Sequence, residues 1–253
     1  MGYYKGIAGR IQQQIREFEW LLEKKKKSLI NLRRERMRCL NFFSQQFQFD
    51  AEKIYSEHHN SEFKHWYKIR KKELFELGGY GISSDFDLET LYLLIRLFKP
   101  RVIVETGVLY GASSSFILEA LKENGAGKLY SIDLPNRENK LPKDFLVRGA
   151  VKDKWELLIG DVKEELPKLL TRIRNIHHFH HDSLHTFEHM LWEYNVAFKY
   201  LTPEGILSSH DIVSLPFHKN AFLSFCKKQH LKYNIFRNVG IAFCPKAWIS
   251  SNR

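Results

Sequence analysis

The chain has 253 residues, 43% apolar and 27% charged, with a net charge of +11, a composition that suits one large α/β domain plus an appendage. It holds no run of about 18 apolar residues and no charged-then-apolar leader, which argues against membrane spanning and secretion. Cys39, Cys226 and Cys244 are odd in number and far apart, which fits reduced thiols in a cytoplasm better than a disulfide framework.

Positions 11–46 contain neither Pro nor Gly. Ile11, Ile15, Phe18, Leu22, Leu29, Leu32 and Phe43 fall there on a spacing of three or four that Lys25 and Arg36 interrupt, which predicts a long amphipathic helix, either a short coiled coil for self-association or a helix lying on the main domain. Residues 1–75 carry 17 Lys/Arg against 9 Asp/Glu. Such a surplus is either a solvated helix face or a surface for nucleic acid, anionic lipid or an acidic partner. Shorter helical pieces follow through residue 77, and Gly78–Asp85, GGYGISSD, punctuates the chain. The expected division is a basic helical extension, 1–77, and a main domain, 78–253.

From there helices and strands alternate. DLETLYLLIRLF reads as a helix stopped by Lys99-Pro100, and RVIVETG as a buried strand. ASSSFILEALKEN is a helix, GKLYSID a strand, and WELLIGD a third strand. VKEELPKLLTRI is helical, NIHHFHHD a fourth strand, TFEHMLWEYNVAFKYL a helix, and GILSSHDI a fifth strand. The remainder suggests a helix and two strands around Asn238–Gly240. This alternation predicts a doubly wound, mostly parallel α/β sheet of the Rossmann-like kind, with its site beyond the carboxyl ends of the strands.

In VIVETGVLYGASSS the first strand turns through Gly107 and Gly111 into a helix whose first turn holds three serines. Helix-start N–H groups and hydroxyls suit a carboxylate or phosphate. No Gly-Lys-Ser/Thr follows, so the turn is not a P-loop. Leu109 and the lack of a third glycine exclude the dinucleotide fingerprint. Asp133 closes the second strand, where a carboxylate suits both hydroxyls of a ribose, and Asp161 closes the third, where it can accept from an adenine amine. Either alone is equally a helix cap. Together they point to an adenosine-bearing cofactor without a diphosphate.

VETGVLYGASS, LYSIDLP, WELLIGD, HDSLHTFEHMLWEY and LTPEGILSSHDI stand in the order and spacing of a known family. Over residues 78–245 the chain resembles the class I S-adenosylmethionine-dependent methyltransferases, in their small-molecule O-methyltransferase-like branch. The resemblance implies that Glu105 and Gly107 line the methionine end of S-adenosylmethionine, with Gly111 and Ser113 near its carboxylate. It gives Asp133 the ribose and Asp161 the adenine, and it faces Asp182 toward the sulfonium and the acceptor. By the same resemblance a divalent cation such as Mg or Mn would fall to Asp182, His210 and Asp211, a histidine replacing one of the family's acids.

Six of the twelve histidines lie between His177 and His189. On a strand, His177, Phe179 and His181 face one way and His178, His180 and Asp182 the other. Buried imidazoles there need hydrogen-bond partners or a ligand. His185, just past Asp182, is the expected general base, with Asp182 orienting the acceptor. His185, Glu188 and His189 also spell the inverted zinc-protease motif, but a third ligand at suitable distance is lacking. The expected activity is O-methylation of a small-molecule or sugar hydroxyl. The alternatives are a nucleic-acid methyltransferase docking through the basic segment, and a non-catalytic interaction protein that keeps the fold.

Overall fold

The computed structural model describes residues 28–135 and 141–249. Two compact units divide between Leu40 and Asn41. Helix α1 is described over residues 28–47, and Leu29 on it is exposed. The seam positions Ile11, Ile15, Phe18 and Leu22 lie outside the described residues.

The larger unit opens on the end of α1. Phe47 meets Phe98 edge-on at 4.9 Å and Phe243 at 5.1 Å, while Phe42 meets Phe236 at 5.3 Å. Helices α2 (Ala51–His59) and α3 (Glu62–Glu76) follow, capped by the side chains of Asp50 and Ser61. Phe63 and Tyr67 of α3 stand edge-on to Phe116, at 5.1 and 4.8 Å. The Gly78–Asp85 turn then leads to α4 (Asp85–Phe98), which Ser84 caps. Eleven residues of α4 are buried, so it is covered nearly all round, as its continuous apolar run requires. Lys99 ends it in the left-handed region and Pro100 blocks continuation.

The strands are β1 (Val102–Thr106), β2 (Lys128–Asp133), β3 (Trp155–Ile159), β4 (Ile176–His181), β5 (Leu201–Ser209), β6 (Lys232–Phe236) and β7 (Val239–Phe243). They form one seven-stranded sheet of order β3-β2-β1-β4-β5-β7-β6. β7 runs antiparallel to both neighbours, and the other described pairs are parallel. Helices α5 (Ala112–Glu123), α6 (Val162–Ile173), α7 (Phe187–Phe198), α8 (Pro216–Lys228) and α9 (Pro245–Ile249) complete the unit, with a 3-10 turn at Gly149–Lys154. The expected doubly wound sheet with helical N-terminal elements is what forms. Among the described residues no helix is long and apolar enough to cross a membrane.

Two strand limits differ from the sequence reading. β3 stops at Ile159, because Gly160 turns the chain and Asp161 becomes the cap of α6. β5 begins at Leu201 and stops at Ser209, leaving His210 and Asp211 in the loop beyond it. Its early part includes Pro203, which has no N–H for the ladder. The register with β4 accordingly jumps from Ile176↔Leu201 to His178↔Ile206.

Candidate active site

The reversal of strand order between β1 and β4 opens a crevice at the carboxyl ends of the strands. A cavity of about 540 Å³ lies there, lined by Gly107, Leu109, Asp133, Asp161, Asp182 and Lys143 among others. That volume suits a small-molecule cofactor.

The turn after β1 is shaped by close approach. A Cβ on Gly107 would lie 2.0 Å from the carbonyl oxygen of Asp182, and the residue has φ +86°, so no other residue fits without moving β4's exit. Gly111, φ +79°, starts α5 against the carbonyl of Lys143. Below the turn Glu105 is fully buried. One of its oxygens accepts from Ser114 at 2.5 Å and Ser131 at 2.7 Å, and the other has no partner. Burial pushes its pKa up to about 7 against the hydrogen bonds of Ser113, Ser114 and Ser131, with the Asp182 charge adding to the rise. An unpartnered buried oxygen at this place fits a cationic donor such as a ligand ammonium.

Asp133 is half-buried at the end of β2. It accepts from the backbone N–H of Leu109 at 3.0 Å, from Leu134 at 2.9 Å and from the Lys143 ammonium at 2.5 Å. Leu109 reaches it with φ +54°. Asp161 caps α6 by accepting from the N–H of Lys163 at 2.8 Å, and it also faces the cavity. The cap and ligand readings of Asp161 are therefore compatible.

Asp182 is held by the backbone, its N–H donating to Thr106 at 2.8 Å. Nδ1 of His210 lies 3.1 Å from its Oδ1, and the Ser83 hydroxyl 3.5 Å from its Oδ2. Burial would raise its pKa, yet the charges of His210, His180 and His185 and the His210 hydrogen bond keep it below the usual carboxylate range. The other ring nitrogen of His210 lies 3.4 Å from Asp87 on α4. Burial opposes its charge, but Asp182, Asp87 and Asp211 outweigh it and raise the pKa to about 11. Both ring nitrogens of His210 thus face carboxylates, Nδ1 that of Asp182 and Nε2 that of Asp87.

The residues that do converge are Asp182, His185 and Asp211, each offering one ligand atom within 4.8 Å of the others. Asp211 is fixed at φ +56° by the Ser214 hydroxyl at 2.9 Å and by the side-chain amide of Asn238. Nε2 of His185 lies 3.7 Å from Asp182 and has no hydrogen-bond partner. Burial, followed by the nearby His181, lowers its pKa, so the ring is neutral near pH 7. His181 and His218 stand against it at centroid distances of 5.1 and 5.4 Å.

Four further histidines find a partner within the fold, while the second ring nitrogens of His178, His181 and His189 have none. Nε2 of His178 and Nδ1 of His180 share the Ser208 hydroxyl, at 2.7 and 2.8 Å. His181 and His189 bind opposite oxygens of Glu193, at 2.9 and 2.7 Å, and Thr106 and Ser183 also donate to that carboxylate. Burial would raise the pKa of Glu193, but these partners hold it far below its usual range. The protease motif does not assemble: His185 precedes Thr186, the cap of α7, while His189 lies inside the helix on Glu193. Lys143, Asp87, Glu193 and Asn238 are site-forming residues the sequence reading missed. Asp87 and Asn238 come from distant segments, whereas Lys143 lies ten residues past Asp133 and Glu193 sits inside HDSLHTFEHMLWEY, four residues after His189.

A seven-stranded sheet with one antiparallel strand, a glycine turn after β1, an acid closing β2 and acids just past β3 and β4 define the class I methyltransferase fold. Residues 104–212 match the family model described as a methyltransferase domain. Among solved structures the chain is similar to the O-methyltransferase TomG of Streptomyces achromogenes, determined with S-adenosylmethionine (17% identity, TM-score 0.55, 79% of this chain and 98% of that one). It is similar to a Bacillus cereus O-methyltransferase determined with S-adenosylhomocysteine (12%, 0.52, 72% and 90%). A third is CalS11, a TDP-rhamnose 3'-O-methyltransferase of calicheamicin biosynthesis (18%, 0.52, 74% and 97%). No curated protein matches the chain.

Proposed function

We propose that the protein is an S-adenosylmethionine-dependent O-methyltransferase acting on a small-molecule or sugar hydroxyl, with residues 78–253 as the catalytic region. The observation that carries this reading is the cavity that gathers Gly107, Asp133, Asp161 and Asp182 inside the segment matched as a methyltransferase domain. Glu105 takes the ligand's ammonium, and Gly107, Gly111 and Ser113 admit its methionine end. Asp133 accepts the ribose hydroxyls, for which Lys143 must yield part of that carboxylate. Asp161 accepts from the adenine. Two of the similar structures support the cofactor, since those proteins were determined with S-adenosylmethionine or its product. The sugar acceptor of a third supports the acceptor class. Three free, buried cysteines fit a reducing, cytoplasmic setting.

When bound, S-adenosylmethionine supplies a methyl group made electrophilic by its sulfonium. The chain aligns the acceptor oxygen with that methyl carbon, which is where most of the acceleration arises. Neutral His185 takes the hydroxyl proton on Nε2, while Asp182, kept ionised by cationic His210, orients the acceptor. Asp182, His185 and Asp211 also suit a divalent cation that accepts mixed nitrogen and oxygen ligands, Mn more readily than Mg. A metal would occupy the same lone pair of His185 that a proton takes, so the two roles exclude each other.

The test is calorimetric titration with S-adenosylhomocysteine, with and without Mg²⁺ or Mn²⁺, beside an Asp133→Ala control. The expected result is micromolar binding that the control loses. Enhancement by Mn²⁺ that His185→Ala abolishes assigns His185 to the metal, and indifference to metal assigns it to the proton. Absence of binding in every condition refutes the enzyme reading.

A further inference from the structure

A second cavity, of about 590 Å³, runs along α3 and is lined by residues 59–85 rather than by the site above. Its wall comes from one helical face. Lys64, Lys68, Lys71, Lys72 and Phe75 follow one another at spacings of three and four or side by side, which brings them to the same side of α3. His59, His65 and the loop residues Asn60 and Ser61 close one end, at the N-terminus of that helix. Like charges three and four apart weaken a helix, a cost that a bound anion would remove.

The acids facing the cleft neutralise only part of this charge. Lys71 pairs with Asp85 at 2.5 Å, and Lys64 with Glu89 at 2.7 Å and Asp85 at 3.7 Å. Lys72 reaches Glu76 at 3.5 Å in a solvent-exposed pair, of the kind that contributes little. Asp85 is the one acid among the lining residues, against four lysines. An independent observation points the same way. Tyr67 lines this cavity, is only 1% exposed, and its buried hydroxyl has no hydrogen-bond partner. Buried hydroxyls are rarely left so, and an acceptor oxygen at this position would satisfy it.

We propose that the α3 cleft binds a phosphate-bearing small molecule, its phosphate oxygens held by Lys68, Lys72 and Lys71 and by the Tyr67 hydroxyl. A cleft of about 590 Å³, walled by little more than one helix and its two flanking turns, matches a small ligand better than an extended polyanion, which asks for a long groove. The inference does not depend on methyl transfer.

The experiment titrates inorganic pyrophosphate into the full chain by calorimetry, with thermal melts verifying that each variant is folded. The expected result is saturable binding that K68Q/K72Q weakens by about tenfold or more and Tyr67→Phe by about fivefold. K68R/K72R, which keeps the charge, should retain it. Glutamine at Lys24–Lys27 should leave it unchanged, separating the cleft from the other basic segment. The proposal is overturned by absence of binding, by equal binding to wild type and K68Q/K72Q, or by loss on neutralising Lys24–Lys27. It is equally overturned if phosphatidylserine vesicles or duplex DNA bind through Lys68 and Lys72 while pyrophosphate does not.

Discussion

At the residue scale two positions of the proposed cofactor site carry the sharpest constraints. Gly107 combines positive φ with a backbone neighbour at 2.0 Å from any added Cβ, so relief must come from β4's exit and therefore from Asp182. Gly107→Ala should destabilise the fold by about 3 kcal/mol in chemical denaturation and abolish S-adenosylhomocysteine binding. Glu105 makes the opposite trade. Its folded pKa, about 7, lies above the ordinary 4.5. Between those values the native state holds more protons than the unfolded one, so stability falls as pH rises. Glu105→Gln removes that slope and supplies an N–H₂ group where an oxygen stands alone. The ligand-free variant should gain on the order of 3 kcal/mol at pH 8 over wild type, while losing affinity for the cationic end of the cofactor. Denaturation at pH 5 and pH 8 with ligand titration checks both. A variant that is no more stable at pH 8 would show that Glu105 is not strained by its burial.

At the element scale β4 resolves the cluster of histidines. Its two faces find two partners, Ser208 for His178 and His180, and Glu193 for His181. Strand alternation made the division of faces legible, and the need for partners was legible with it. The identity of those partners was not, because Ser208 sits one strand away and Glu193 arrives from α7. Asp133 and Asp161 were legible for the complementary reason that each closes its own largely apolar run. The cationic state of His210 was hidden, since it depends on Asp87, far off in sequence and brought alongside by α4. Burial holds His180 near 4 and His178 well below the ordinary 6.5. Below about pH 6.5 the unfolded chain therefore takes up protons that the native one refuses, and stability is lost as pH falls. In the Glu105→Gln variant, which lacks the opposite slope of Glu105, stability should drop between pH 7 and pH 5 by about 2 kcal/mol for each of the two rings. Ser208→Ala, which strips both imidazoles of a partner, should cost about 3 kcal/mol at pH 7.

At the scale of the whole molecule, chemistry and folding have different boundaries. Every residue assigned to methyl transfer lies beyond residue 78, where the glycines of GGYG mark a turn. The compact unit nevertheless begins at Asn41, because its core is closed by side chains that precede the turn. Phe43 and Phe47 are buried among Phe98, Phe236 and Phe243, and Phe63 and Tyr67 press on Phe116 of α5. Removing one large buried aromatic typically costs about 3–5 kcal/mol, and a domain has only about 5–15 kcal/mol to lose. A chain cut at residue 78 forfeits all four of these rings and uncovers Phe116 and Phe243, so it should be insoluble or unfold without a cooperative transition. A chain beginning at Asn41 keeps them. It should melt cooperatively and bind S-adenosylhomocysteine within about twofold of the full chain, a difference of about 0.4 kcal/mol. Thermal melts and calorimetry on the two truncations measure this directly. A cooperative, ligand-binding 78–253 fragment would mean that the aromatic contacts of α1 and α3 are dispensable to the catalytic region and serve the cleft along α3 instead.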